Sequence, residues 1–147
     1  MKCLTVRQPY ATLIIIGAKV WETRSWDTSY RGPLVIHAAK RWTPNQRALI
    51  AQEPFKSALM EAGIYELPLG KVLGKVRLTY TTQCPEAGMI TLPHLFKPYK
   101  MHEPERAFGN YEAGCYAWEL RDPERLSIPI SASGQQGFWQ FDYPESQ

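Results

Sequence analysis

Proline is the residue that most restricts how this chain can fold. The sequence of 147 residues contains twelve prolines, distributed from Pro9 to Pro144. Proline has no backbone N–H and its ring collides with the preceding helical turn, so it interrupts helices and is confined to the edges and bulges of sheets. A chain interrupted this often cannot form a long helical bundle. Short strands and brief helices are expected instead.

Strand and helix signals alternate in the first half of the chain. Residues 2–6 and 34–39 are rich in β-branched and other apolar residues and are predicted as strands. A helix is predicted over residues 10–16. Residues 43–46, Thr-Pro-Asn-Gln, have the pattern of a capping box with proline at the first helical position. The helix that they start should break near Pro54.

The second half of the chain is predicted to consist mainly of strands. In residues 71–82 apolar and polar side chains alternate, which indicates a long half-buried strand, and Gly74 indicates a bulge within it. Residues 84–109 are irregular and rich in proline and glycine, and loops of this length often have a function. Three shorter strands are predicted nearer the C-terminus, at residues 116–121, 126–130 and 138–143.

These elements predict an α+β fold. Six or seven strands with two or three helices suggest a small curved sheet or barrel with helices packed at one side. No linker or repeat divides the sequence, so residues 1–147 are expected to form one domain. No apolar run approaches the ~20 residues of a membrane span, and no signal-peptide core follows Met1. A cytoplasmic protein that does not contact membranes is therefore expected.

Charge is distributed unevenly along the sequence. The net charge is only +3, from 17 basic and 14 acidic residues. The first 50 residues nevertheless hold eight basic and two acidic residues, a balance of +6, and the remaining 97 residues have a balance of −3. An asymmetry of this kind indicates an anionic partner.

The cysteines and the short motifs exclude several kinds of chemistry. Cys3, Cys84 and Cys115 are odd in number and widely spaced, so reduced thiols are expected and no metal site is predicted. The P-loop, GxGxxG, HExxH and GxSxG patterns are missing from the sequence. We therefore expect no cofactor.

The densest polar cluster spans residues 17–26, Gly-Ala-Lys-Val-Trp-Glu-Thr-Arg-Ser-Trp. If this segment is a strand, Glu22 and Arg24 point to one face and Thr23 points to the other. With Lys19 at its mouth, the charged pair could line a polar pocket. Alternatively, it could be a surface ion pair worth about 0–1 kcal/mol.

Aromatic and basic side chains surround this cluster in the sequence. Flat rings can stack on bases and arginine can contact phosphate, a combination that suits single-stranded nucleic acid. Some of these residues also have an ordinary structural explanation, since Trp26 could be core and His37 could be a packed, hydrogen-bonded residue of its strand. The candidates are Arg7, Gln8, Trp26, Tyr30, Arg31, His37 and Lys40.

Four residues of the cluster have the spacing Gly-x-Lys-x-x-Glu-x-Arg: Gly17, Lys19, Glu22 and Arg24. This pattern is the hallmark of the activating signal cointegrator homology (ASCH) domain, which residues 4–40 resemble. Further segments are similar to the cointegrator-type branch of that family. They are Gln8-Pro9, Ser25-Trp26, Arg31-Gly32, Leu73-Gly74 and residues 116–118 and 137–139.

The resemblance implies a PUA-like fold, a small β-barrel of about six strands with peripheral helices. It also implies a cleft that binds nucleic acid, with single-stranded or structured RNA as the expected partner. In that cleft Lys19 and Arg24 would contact phosphate or a base edge, and Glu22 would orient them or accept a base amino group. The remaining nucleic-acid contacts would come from Arg7, Gln8, Ser25, Trp26, Tyr30, Arg31, His37 and Lys40.

Some members of the family are enzymes. One branch resembles an amidohydrolase of acetylated cytidine that uses the motif lysine, a threonine three residues later and a distant glutamate, and another is similar to a metal-dependent ribonuclease. Lys19 matches the lysine, whereas Glu22 stands at the threonine position. If the chain is a hydrolase, Lys19 and Glu22 are its catalytic candidates. A third hypothesis is an adaptor that binds a protein partner through residues 84–109.

Overall fold

Eight strands and three short helices make up the part of the chain that the computed structural model describes, residues 1–93 and 97–145. The strands are β1 (Lys2–Val6), β2 (Trp21–Arg24), β3 (Gly32–Ala38), β4 (Lys71–Gln83), β5 (Met89–Thr91), β6 (Pro98–Lys100), β7 (Tyr116–Ser131) and β8 (Phe138–Gln140). The helices are α1 (Tyr10–Ile15), α2 (Pro44–Ile50) and α3 (Phe55–Glu61). None of the helices in this part is long and apolar enough to span a membrane.

Six of the strands form one mixed sheet in the order β2-β7-β4-β3-β1-β8. Strands β1 and β3 pair in parallel, with Leu4 opposite Ile36, and the other neighbours are antiparallel. The sheet does not close into a hydrogen-bonded barrel. It curls far enough that Trp26, just after the edge strand β2, stacks edge-on against Phe138 of the opposite edge strand β8, at 5.3 Å between ring centroids. The expected α+β fold with a barrel-like sheet is therefore confirmed.

Helix α1 fills the concave side of the curled sheet. Its residues Ala11 to Ile15 are all buried, because one side of the helix packs on β3, β4 and β7 and the other on α3. Leu13 contacts Phe55 of α3 and Phe108 of the segment before β7 in a separate apolar cluster. Gly17, with φ of +83°, ends the helical stretch and turns the chain towards β2.

Three predictions from local sequence signals are confirmed. Thr43 accepts a hydrogen bond from the Gln46 backbone N–H, and the Gln46 side chain accepts one from the Thr43 N–H, so the capping box forms. The helical region breaks before Pro54, which precedes α3. The register between β4 and β7 shifts at Gly74, which confirms the predicted bulge.

Two predictions for the second half were wrong. The separate strands at residues 116–121 and 126–130 are one continuous strand, β7, because Asp122 adopts a φ of +53° and a bulge opposite β4 absorbs the extra residue. The irregular stretch 84–109 also contains a small hairpin of β5 and β6. Residues 94–96 of that stretch, part of the proposed partner-binding loop, lie outside the described residues.

Candidate functional site

A polar cavity of about 350 Å³ lies in the seam between β1 and β2. These strands occupy distant places in the sheet order, and the curl of the sheet brings them together. One wall comes from the end of β1, another from β2, a third from the segment before β7, and Tyr10 of α1 also borders the cavity. The lining residues are Thr5, Val6, Arg7, Tyr10, Glu22, Thr23, Arg24, Ser25, Phe108, Gly109 and Asn110.

Arg24 bridges the seam at the base of this cavity. Its Nη2 donates a hydrogen bond of 2.9 Å to the Thr5 carbonyl of β1. The same nitrogen lies 3.0 Å from the Glu22 carboxylate, and Nε lies 3.2 Å from it. The shared face of Glu22 and Arg24 follows from the two-residue period of the strand. The pair lines a pocket and is not an exposed surface ion pair, since the Glu22 side chain is only 10% exposed.

Lys19 lies beneath the cavity and is almost completely buried. Its Nζ donates to the carbonyls of Trp21 and Phe108, at 2.5 and 2.6 Å, and lies 3.7 Å from the Glu22 carboxylate. Burial lowers the pKa of Lys19, and the negative charge of Glu22 opposes that shift. The Lys19 ammonium is therefore bonded within the protein and does not point to a phosphate group, in contrast to the expectation from the resemblance. Lys19 instead ties the third wall of the cavity to β2.

Thr23 secures the same wall from the opposite face of β2. Its Oγ1 accepts a hydrogen bond of 2.9 Å from the backbone N–H of Asn110. Glu105 adds a further contact, because its carboxylate accepts a hydrogen bond from the Val20 N–H. Burial raises the pKa of Glu105, against the opposing effects of the Val20 N–H and of Lys19. The segment around residues 105–110 is thus held at several points.

Two of the expected nucleic-acid contacts are internal residues. Gln8 is completely buried, and its side-chain amide donates to Thr12 Oγ1 and to the Pro68 carbonyl, at 2.8 and 2.9 Å. His37 is 1% exposed, and its ring nitrogens lie 3.2 Å from Thr5 Oγ1 and 2.7 Å from the Ala132 carbonyl. Both side chains are buried and bonded within the protein, which is the ordinary structural explanation.

The aromatic candidates near the seam are packed into the protein. Trp26 stands edge-on against Trp118, at 4.8 Å between ring centroids, and it also packs on Phe138. Tyr30 packs on the core and its hydroxyl donates to the Pro33 carbonyl. Neither ring lines the cavity, so stacking on a base there would need a different ring.

The remaining candidates, three basic residues and Ser25, divide into those that line the cavity and those that do not. Arg31 donates to the carbonyls of Thr28 and Tyr30 and to Thr81 Oγ1, away from the cavity lining. Lys40 is exposed and does not line the cavity either. Arg7 and Ser25 do line it, and both are exposed.

Arg7 also borders a second, larger groove. With Tyr10 it is shared between the cavity and a groove of about 640 Å³ that continues past Arg41 and Asn45 at the start of α2. Among residues 1–93 and 97–145, none forms a hydrogen bond or an ion pair with the Arg7 guanidinium. Because they share Arg7 and Tyr10, the cavity and the groove form one continuous surface. The Arg7 guanidinium lies at their junction without a partner among the described residues.

Sequence reasoning missed Tyr10 and the third wall, Phe108–Asn110. The wall is 89 residues from Lys19, and no motif links the two positions. The length of the loop 84–109 was the one signal that pointed to it. No cluster of three or more His, Cys, Asp or Glu side chains that could hold a metal ion occurs in the described part of the chain.

Comparison with known families confirms the resemblance drawn from the sequence. The family model of the ASCH domain matches residues 4–129. The chain belongs to the ASCH domain family. A segment of 45 residues is also 49% identical to activating signal cointegrator 1 from Homo sapiens, and it makes up 30% of this chain and 8% of that protein. The chain thus corresponds to a small part of that relative.

Solved ASCH proteins share the fold. The ASCH protein from Zymomonas mobilis aligns with a TM-score of 0.51 at 15% identity, over 96% of this chain and 87% of that chain. A point mutant of the same protein aligns with a TM-score of 0.51 at 16% identity, over 96% and 90% of the two chains. At these identities the likeness concerns the fold alone.

Proposed function

We propose that this ASCH domain binds single-stranded RNA in the cavity between β1 and β2 and along the adjoining groove. The observation that carries the proposal is the position of Arg7 at the junction of the two, exposed and without a partner in the described residues. An arginine that makes no internal contact can bind a phosphate group without breaking existing interactions.

Charge supports an anionic ligand at this surface. Arg7 and Arg24 outnumber Glu22 among the charged residues that line the cavity, and Arg41 adds a further positive charge in the groove. Arg24 is held in place by Glu22 and by the Thr5 carbonyl, so its guanidinium is oriented before any ligand arrives. Preorganisation of this kind lowers the entropic cost of binding.

The size and lining of the cavity support the proposal that it binds a single nucleotide. Its volume of about 350 Å³ is at the lower end of the roughly 300–1,000 Å³ that small-ligand sites occupy. The Tyr10 ring, the Ser25 hydroxyl and the Asn110 amide border it. A ring can stack on a base, and hydroxyl and amide groups can bond to a base edge when that base is not paired in a duplex.

The hydrolase hypothesis gains no support from this geometry. The Lys19 ammonium is already engaged by two carbonyls and by Glu22. The Glu22 carboxylate is shared between Lys19 and Arg24. Both groups already have partners within the protein, so we propose binding as the function of this site.

The test is a binding titration by fluorescence anisotropy with labelled single-stranded RNA, single-stranded DNA and duplex RNA of equal length. We expect the protein to prefer the single strands, and Arg7→Ala to weaken RNA binding several-fold. Arg77→Ala is the matched control, because Arg77 is an exposed arginine on β4 that does not line the cavity. Equal affinity of the Arg7→Ala variant and the unmodified protein would rule out the proposed site.

A further inference from the structure

Cys84 and Cys115 lie opposite each other where β4 and β7 diverge. The ladder between these strands ends with Gln83 paired to Tyr116, and the next pair in the same register is Cys84 with Cys115. The Cys84 N–H donates to the Cys115 carbonyl at 2.7 Å, and the Gly114 N–H donates to the Cys84 carbonyl at 2.9 Å. Gly114 has a φ of +87°, so this is a β-bulge with glycine at its first position.

The two thiols share one face of the sheet. Opposite residues of an antiparallel pair point to the same side, and both cysteines pack in the apolar cluster that contains Trp21, Ile90 and Tyr111. The hydrogen bond from the Cys84 N–H to the Cys115 carbonyl keeps the two residues on neighbouring chain segments. Neighbouring strands lie about 4.7–4.9 Å apart, and the Cα atoms of a disulfide are roughly 4.4–6.8 Å apart. A bond between the sulfurs therefore requires rotation of side chains and no separation of the strands.

We propose that Cys84 and Cys115 form a dithiol site that a peroxide converts into a disulfide. Cys84 is buried, whereas Cys115 is partly exposed and meets the oxidant first. The Cys115 sulfur attacks one peroxide oxygen, the O–O bond breaks, and a sulfenic acid and water form. The Cys84 sulfur then attacks the Cys115 sulfur, and the S–O bond breaks with release of a second water. Two thiols are oxidised and one peroxide is reduced to two waters.

The disulfide would close the chain between the two cysteines into a covalent loop. That loop includes Phe108 and Asn110, whose backbone groups are bonded to Lys19 and Thr23 at the cavity. A crosslink at the base of a long loop restricts its open conformations. Oxidation should therefore make the third wall of the cavity more resistant to local unfolding. This inference does not depend on which ligand the cavity binds.

The third cysteine provides an internal comparison. Cys3 is completely buried on β1, in a different apolar cluster from the other two. Burial raises the pKa of the Cys3 thiol to about 12 and that of the Cys84 thiol to about 11, so the position of Cys3 in the sheet is what separates it from the pair. Cys3 also has no cysteine opposite it, because its neighbours in the sheet are Val35 and Trp139. We expect Cys3 to stay reduced under conditions that oxidise the pair.

The test is mass spectrometry of the folded, full-length chain after exposure to excess hydrogen peroxide. We expect the intact mass to fall by two hydrogen atoms, peptide mapping to find Cys84 joined to Cys115, and dithiothreitol to reverse the change. Cys3→Ala should behave in the same way. Cys84→Ser should instead accumulate a sulfenic acid at Cys115, which dimedone traps.

A second measurement connects the bond to the cavity wall. Lys100 and Arg106 are trypsin sites within the loop, and both are exposed. We expect trypsin to cut the oxidised protein several-fold more slowly at these sites than the reduced protein. An unchanged mass in the folded protein, a bridge that includes Cys3, or conversion of Cys115 to a sulfinic acid with Cys84 still reduced would each overturn the proposal.

Discussion

At the scale of single residues, Lys19 shows how this fold accommodates a buried charge. Taking an ammonium group out of water costs several kcal/mol, which is recovered only when its hydrogen-bonding capacity is filled. The carbonyls of Trp21 and Phe108 and the Glu22 carboxylate do this. The charge is therefore part of the folded framework, and the cations that line the cavity are Arg7 and Arg24.

Replacing Lys19 tests this role. Lys19→Met keeps the apolar stem but leaves two buried carbonyls without a donor and removes one cation from Glu22. We expect the free energy of unfolding to fall by about 3 kcal/mol, measured by denaturant titration. The matched control is Lys75→Met, which removes a partly exposed lysine 3.7 Å from Glu124 and should cost less than about 1 kcal/mol. Equal losses in the two variants would contradict a structural role for Lys19.

Glu105 gives a prediction about pH. Its pKa is raised in the folded protein, chiefly by burial, so the folded state holds this proton more tightly than the unfolded state. In that case stability is greatest below the ordinary value of 4.5 and is lost as the pH rises through the raised pKa. We expect the unfolding free energy of the unmodified protein, relative to Glu105→Gln, to decrease as the pH rises above 4.5. A constant difference across that range would contradict the shift.

Part of the candidate site follows from local sequence. The two-residue period of a strand was enough to place Glu22 and Arg24 on one face. The roles of Lys19 and Gln8 were not predictable, because their partners Phe108 and Pro68 are distant in sequence. A polar side chain in a motif can serve a ligand or the fold, and its distant neighbours decide between the two.

At the scale of elements, the pairing of β4 with β7 organises the sheet. The capping box of α2 and the bulge at Gly74 were predictable because each depends on a few adjacent residues. The continuity of β7 was not predictable, because the strand contains two prolines, Pro123 and Pro129. Prolines are tolerated within a strand only at an edge or a bulge, and the bulges opposite β4 depend on pairing with a distant segment. The β5–β6 hairpin also lacked a short turn signal in the sequence, since its strands are separated by residues 92–97.

Gly74 tests the tightness of that pairing. A Cβ atom added there would lie 2.1 Å from the Glu124 carbonyl oxygen, and the residue has a φ of +158°. Both the clash with backbone and the strained conformation oppose a side chain, so we expect Gly74→Ala to lower the unfolding free energy by about 3 kcal/mol. Gly63→Ala is the control, because Gly63 also has a positive φ, of +70°, but has open space around it.

The comparison separates the two effects at Gly74. Gly63→Ala should cost about 1 kcal/mol from backbone strain alone. The excess in Gly74→Ala then measures how closely β4 and β7 approach at the bulge. Thermal unfolding of both variants and the unmodified protein is sufficient, and equal losses would mean that the bulge relaxes to admit a methyl group.

At the scale of the whole molecule, the basic balance of the first 50 residues is divided among different tasks. Lys19 is internal, and Arg31 is engaged in hydrogen bonds to neighbouring backbone and to Thr81. The cations left at the proposed site are Arg7, Arg24 and Arg41. Part of the positive charge of this segment is thus internal or engaged once the chain is folded, and three arginines border the cavity and its groove.

The number of arginines at the proposed site predicts how strongly RNA binding depends on salt concentration. Each phosphate neutralised on a single strand contributes about −0.7 to the slope of log K against log salt concentration. Three arginines therefore predict a slope near −2, and Arg7→Ala should reduce its magnitude by about 0.7. Arg77→Ala should leave the slope unchanged. A slope several times steeper would mean that the RNA runs across much more of the surface than the cavity and its groove, because each additional released counterion requires an additional cation in contact with the strand.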